Sequence, residues 1–162
     1  MPSFRTSRRV GHSARQMFDL VADIERYPDF LPLCTGLSVR RRSTDPQGRP
    51  VILANMSVGY KAIRETFGSR VTLDAEMLAI LVEYVDGPFS RMENKWTFVD
   101  LPDGKARVDF FIDYEFRSRT LGFLMGAMFD TAFRKFSEAF EKRADAIYGR
   151  GSPSRPLPGQ TV

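Results

Sequence analysis

Between Pro50 and Phe116 the chain alternates apolar and polar residues, run after run, and this period of two limits the fold more than any other feature. Ile52, Ala54, Met56, Val58 and Tyr60 share one parity against Asn55, Ser57 and Gly59. Beyond a turn at Tyr60-Lys61, Ile63, Phe67, Val71 and Leu73 oppose Arg64, Thr66, Arg70 and Thr72. Leu78, Ile80, Val82 and Tyr84 make the next run, which ends at Asp86-Gly87-Pro88. Met92, Asn94, Trp96 and Phe98 then face away from Arg91, Glu93, Lys95 and Thr97. Pro102-Asp103-Gly104 turns the chain into Val108, Phe110, Ile112, Tyr114 and Phe116. Strands joined by such short turns form an antiparallel meander with one apolar and one wet face. The apolar face needs a cover.

Thr120–Tyr148 is the expected cover. Leu121, Leu124, Met125, Met128, Ala132, Phe136, Ala139 and Phe140 recur there at spacings of three and four, and charged residues take the other side. As one helix the segment spans about 43 Å, and Gly149 is its natural C-cap. Upstream, Ser3–Val10 reads as a first strand. Ser13 and Gln16 have capping-box spacing for a short helix whose buried face is Met17, Leu20, Val21 and Ile24. Pro28 and Pro32 break the segment Tyr27–Cys34 into turns. The fold class expected is α+β: a curved antiparallel β-sheet wrapped around one long C-terminal α-helix. Residues 1–149 make a single domain, and the Pro/Gly/Ser-rich segment 150–162 reads as a disordered tail.

Composition removes most enzyme chemistries. One cysteine, Cys34, excludes an internal disulfide and any multi-cysteine zinc site. One histidine, His12, excludes catalytic zinc sets built on two or three histidines; placed directly before the helix cap, it reads as an exposed joint residue. No G-x-S-x-G, H-E-x-x-H or Gly-rich phosphate loop is present. The formal net charge is +4, of which Arg150 and Arg155 carry two, so no DNA-binding footprint is expected. Arg40-Arg41-Arg42 reads first as the solvated end of a strand. No apolar stretch reaches the length of a membrane span. The N-terminus lacks a signal-peptide core, so the expected address is the cytoplasm.

The order of elements and several local strings resemble the START-like helix-grip superfamily, and within it the coenzyme Q-binding family, which also contains a branch of ribosome-association toxins. The strings are Phe18–Pro32 (FDLVADIERYPDFLP), Phe67–Leu73 (FGSRVTL), Asp86–Phe89 (DGPF), Asn94–Phe98 (NKWTF) and Ala139–Arg143 (AFEKR). One departure is Leu33, where the family commonly has tryptophan before the cysteine. The resemblance implies a hydrophobic cavity between sheet and helix that holds a ubiquinone-like isoprenoid. It further implies a place in respiratory electron transport, contact with the membrane surface and a peripheral position at the inner membrane.

The residues support a cavity on their own terms. Of 14 Phe, 5 Tyr and 1 Trp many have the inward parity, and Ala54, Gly59 and Ala79 leave room between large rings. The candidate ligand-binding residues on the strands are Met56, Val58, Phe67, Trp96, Phe98 and Phe110. Met125 and Met128 add adaptable contacts from the helix. Tyr60, Asn94 and Tyr114 are the candidate donors to a polar head group. Tyr27, Phe30, Leu31 and Leu33 form a hydrophobic loop that reads equally as a lipid portal or as a seal over the core. The Leu121–Gly126 entry to the helix reads as a gate or as a site of close packing. The function expected is non-catalytic binding of a polyprenyl quinone, with no catalytic residues, catalytic cofactor or metal. The alternative is a ribosome-contacting, toxin-like factor using Arg8, Arg9 and Arg40–Arg42, and a polyketide cyclase is the least favoured reading.

Overall fold

The structure is a computed structural model that describes residues 3–60 and 62–149, with Tyr60 described by its backbone alone. The expected tail at 150–162 and the Tyr60 hydroxyl lie outside the described residues. In chain order the elements are β1 (Ser3–Val10), α1 (Ala14–Ala22), a short 3-10 helix (Ile24–Asp29), β2 (Cys34–Thr44), β3 (Pro50–Tyr60), β4 (Ile63–Asp74), β5 (Ala79–Asp86), β6 (Phe89–Asp100), β7 (Ala106–Phe116) and α2 (Arg119–Tyr148). The strands form one antiparallel sheet in the order β1-β7-β6-β5-β4-β3-β2. Each strand from β2 to β7 pairs with its chain neighbour. Only β1 crosses over, pairing Ser3 with Asp113 and Val10 with Ala106.

The alternation read from sequence becomes the two faces of this sheet. Ile52, Ala54, Val58, Val71, Ile80, Trp96, Phe98, Val108 and Phe110 are buried, and α2 lies over them. Ala79 is on the opposite parity to Ile80 and pairs with Thr97, and Gly59 pairs with Arg64, both on the outer face, so of the three small residues Ala54 alone faces inward. Ser13 caps α1 with the full reciprocal box: its hydroxyl accepts from Gln16 N, and the Gln16 side chain accepts from Ser13 N. Gly87 turns β5 into β6 at φ 138°, and a Cβ there would stand 2.9 Å from Phe67 Cα. Only glycine fits that turn.

Two expectations need correcting. The buried stripe of α2 is Met125, Phe129, Ala132, Phe133, Ser137, Phe140 and Ala144, so Phe129 and Phe133 belong to it and Leu124 does not. His12 is buried, not an exposed joint residue, and its Nε2 lies 2.7 Å from Asp145 Oδ1. With the Tyr148 hydroxyl donating to Gln16 O, this contact ties the C-terminal end of α2 to the start of α1.

Replacing Gly87 by alanine should destabilise the fold by about 1–3 kcal/mol, because the strained backbone and the Phe67 contact act together. Ser13→Ala should cost about 1 kcal/mol through the lost cap. In urea titrations both variants should lower the midpoint without changing the slope.

Candidate functional site

The inward faces of β2–β7 and one flank of α2 do not close completely on each other. Between them lies an apolar cavity of about 110 Å³. The strands contribute Leu37 (β2), Ala54, Met56 and Val58 (β3), Phe67, Ser69 and Val71 (β4), Ile80 and Val82 (β5), Phe89, Met92, Asn94 and Trp96 (β6), and Phe110 and Ile112 (β7). From α2 come Phe129, Ala132, Phe133, Phe136 and Phe140. Ile24, Tyr27, Leu31, Pro32 and Leu33 complete the wall from the 3-10 helix and the loop after it. The repeat of two along each strand and of three and four along α2 is what brings these side chains to one volume.

Of the sequence candidates, Tyr27, Leu31, Leu33, Met56, Val58, Phe67, Asn94, Trp96 and Phe110 line the cavity. The others do not. Phe30 packs outside it, edge-on to Phe140 and under the Arg143 guanidinium. Phe98 is buried between Trp96 and the α1 residue Phe18. Tyr114 faces a shallow groove shared with Phe116, Gly122 and Gly126, under the first turns of α2. Met125 is core with no exposed surface, and Met128 packs against the core beside it. Of the α2 wall rings, Phe129 and Phe133 are missing from the sequence reading, which places Phe136 and Phe140 on the covering face but not among the site residues. The signal for the missing two is helical spacing from Phe136, which gives −7 and −3.

The loop from Tyr27 to Cys34 is built into the wall. Tyr27 and Phe30 both meet Phe140 edge-on, at ring distances of 5.4 and 5.2 Å. The Tyr27 hydroxyl donates to Val21 O. Arg143 stacks on Phe30 and reaches toward Asp29 at 3.9 Å. Leu33 has a left-handed backbone, φ 68°, and its carbonyl accepts from Gly59 N at 3.0 Å.

Polar groups in the wall are few. Asn94 Nδ2 donates to Phe111 O at 2.8 Å, while its Oδ1 accepts from Trp96 Nε1 at 3.1 Å. One Nδ2 hydrogen of Asn94 is left over. Ser69 is 6% exposed, and its hydroxyl engages no described residue. Burial above all pushes the Tyr27 phenol far above its ordinary range, so it stays neutral. No Asp, Glu, Lys, Arg or His among the described residues lines the cavity. Among the described residues no cluster of three or more His, Cys, Asp or Glu side chains could hold a metal. No helix among them is long and apolar enough to cross a membrane.

Comparison with known proteins gives this geometry a context. The family described as polyketide cyclase/dehydrase and lipid transport matches residues 10–141. The ribosome association toxin RatA of Escherichia coli is 34% identical over 91% of this chain and 90% of its own. The mitochondrial coenzyme Q-binding protein of Schizosaccharomyces pombe is 27% identical over 87% of this chain and 85% of its own. Among solved structures, an 18 kDa protein of Caulobacter crescentus superposes with a TM-score of 0.75 at 32% identity, covering 92% of this chain and 99% of that one. A START superfamily protein of Mycobacterium smegmatis gives 0.74 at 20% identity, covering 90% and 98%. A Streptomyces aromatase/cyclase gives 0.72 at 17%, covering 92% and 98%; these last two likenesses concern the fold alone.

Cys34, buried at the end of the wall loop, provides a test of that burial. Loss of solvation pushes its thiol up to about 11. Since the thiolate is the reactive form, labelling at pH 8 should be about hundredfold slower in the native protein than in urea, where the ordinary thiol pKa returns. The native rate should rise steadily as the pH approaches 11. Equal rates in the two states would show the loop to be open.

Proposed function

The chain belongs to the polyketide cyclase/dehydrase and lipid-transport family, and from that premise we propose that it binds a polyprenyl quinone without transforming it, collecting and releasing it at a membrane surface. The carrying observation is the wall of the cavity, which is apolar apart from Ser69, Asn94 and the engaged Tyr27 hydroxyl. General acid–base catalysis needs a titratable group near neutrality facing the substrate, and this wall offers none. The same wall suits a quinone. The volume of about 110 Å³ is smaller than the dry cavity of about 150 Å³ that holds benzene, so the ring as well as the tail enters by displacing wall side chains. The spare Asn94 hydrogen and the Ser69 hydroxyl are donors for its carbonyl oxygens. The isoprenoid tail is longer than this volume, so the wall at Pro32–Leu33 is the part that must give way. Each buried methylene then contributes about 0.8 kcal/mol.

A second reading has one observation in its favour: identity is higher to the ribosome toxin than to the coenzyme Q-binding protein, 34% against 27%. In that reading exposed arginines meet ribosomal RNA. Four of the five candidates are already occupied: Arg8 by Glu141, Arg9 by Asp103, Arg40 by Asp86 and Arg42 by Glu25. Such surface pairs are weak enough to exchange partners, yet they lower the free positive charge that phosphate binding needs.

A short-chain ubiquinone titrated into the protein should quench Trp96, which lines the cavity, in a saturable way. Ala54→Phe fills the cavity from β3 and should weaken binding at least about tenfold, or 1.4 kcal/mol, without lowering the melting temperature. Val58→Trp should act in the same direction. Ala79→Phe, on the outer face, should change nothing. No saturable quenching in the wild type, with salt-sensitive co-sedimentation on ribosomal subunits, would favour the second reading.

A further inference from the structure

The first turns of α2 carry an apolar surface that the fold does not use. Phe123 is 86% exposed and Leu124 56%. Both belong to a helix whose buried stripe begins at Met125. Met77 is comparably exposed at 74%, but it stands alone in a turn beside Asp74 and Glu76, and scattered single residues of that kind are ordinary. The α2 tip differs in its charge. From Phe116 to Phe129 there is no acidic residue, and the exposed Arg117 and Arg119 precede the apolar pair by four to seven positions, with Arg117 Nε donating to Phe89 O.

We propose that this tip, Arg117 and Arg119 with Phe123 and Leu124, is a docking surface for an anionic lipid membrane. Arginines beside exposed aromatic and aliphatic side chains match the two layers of a membrane interface, anionic head groups outside and acyl chains beneath. An RNA surface could stack a base on Phe123 but would leave Leu124 without a partner. A second copy of the chain would need about 800 Å² from each partner, which two side chains and their neighbours do not supply. The placement also serves exchange, and in that respect rests on the quinone-carrier reading: Phe129, the first cavity residue of α2, follows Phe123 by six positions, about 9 Å along the axis. A protein docked by this tip holds its cavity just above the head groups.

Flotation of the whole protein with quinone-free vesicles tests the surface by itself. The wild type should float with phosphatidylcholine vesicles containing phosphatidylglycerol, and less with phosphatidylcholine alone. The double variant Phe123→Gln/Leu124→Gln should reduce binding at least about tenfold. Arg119→Glu should reduce it about fivefold or more on anionic vesicles only, with the difference shrinking as salt is raised. All side chains changed are exposed, so the melting temperature should hold in each variant. Wild type that stays off anionic vesicles, or a double variant that floats as well, overturns the proposal. So does a wild-type dimer or ribosomal co-sedimentation that the double variant abolishes while vesicle binding is unchanged. Short-chain ubiquinone titrated in the absence of vesicles should bind both proteins alike. Loss of that binding with flotation intact would remove the carrier reading and leave the docking surface standing.

Discussion

One long helix must cover most of the apolar face of seven strands, with the short α1 packed against β5–β7. Six gaps of about 4.8 Å make such a sheet about 29 Å wide, whereas a helix with its side chains is about 10 Å across. Curvature closes part of the difference and aromatic side chains close more. Phe133 reaches Phe4 on β1 and Phe110 on β7, while Phe140 meets Trp96 on β6. On the β2–β5 side the remaining span is bridged by the segment from Ile24 to Leu33, which meets α2 at Phe140 and Arg143. The cavity is what this geometry leaves between helix, sheet and bridging loop. Its position follows from the ratio of one long helix to seven strands.

The bridging loop is held by two hydrogen bonds, from the Tyr27 hydroxyl to Val21 O and from Gly59 N to Leu33 O, and by many weaker contacts. Edge-on aromatic pairs and a guanidinium over a ring contribute about 1 kcal/mol each, and the Arg143–Asp29 pair at 3.9 Å contributes little. The end of α2 that the loop meets is also tied to α1, by the His12–Asp145 contact and by the Tyr148 hydroxyl on Gln16 O. The C-terminal end of the helix is thus anchored to both loop and α1, while Phe123 and Leu124 near its other end are exposed.

The strands and the capping box were legible because their signals are local. A period of two needs only neighbouring residues, and Ser13 with Gln16 satisfies its own geometry within four positions. The inward parity even identified six wall residues, and the hydrophobic loop three more. The phase of α2 was harder, because Leu121-Gly-Phe-Leu-Met-Gly-Ala-Met-Phe129 is apolar on every side. Only packing against the sheet chooses Phe129 and Phe133 over Leu124. Partners distant in the chain were beyond reach altogether: His12 finds Asp145 after 133 residues, and Asn94 is committed to Trp96 and to a carbonyl of β7. Sequence assigned these side chains a chemistry without showing where it was already engaged.

The crossover of β1 to β7 has a consequence for how the molecule comes into being. β3 to β7 can each pair with the strand made just before, but β1 waits for a partner about a hundred residues downstream. At a synthesis rate of about 5–20 residues per second, that wait lasts about 5–20 s. Throughout it the first strand has no sheet to join, and α1 lacks the end of α2 to which His12 is bonded. Closing so long a loop costs entropy before the ladder rewards it. The strand that leaves the ribosome first is therefore among the last to find its place.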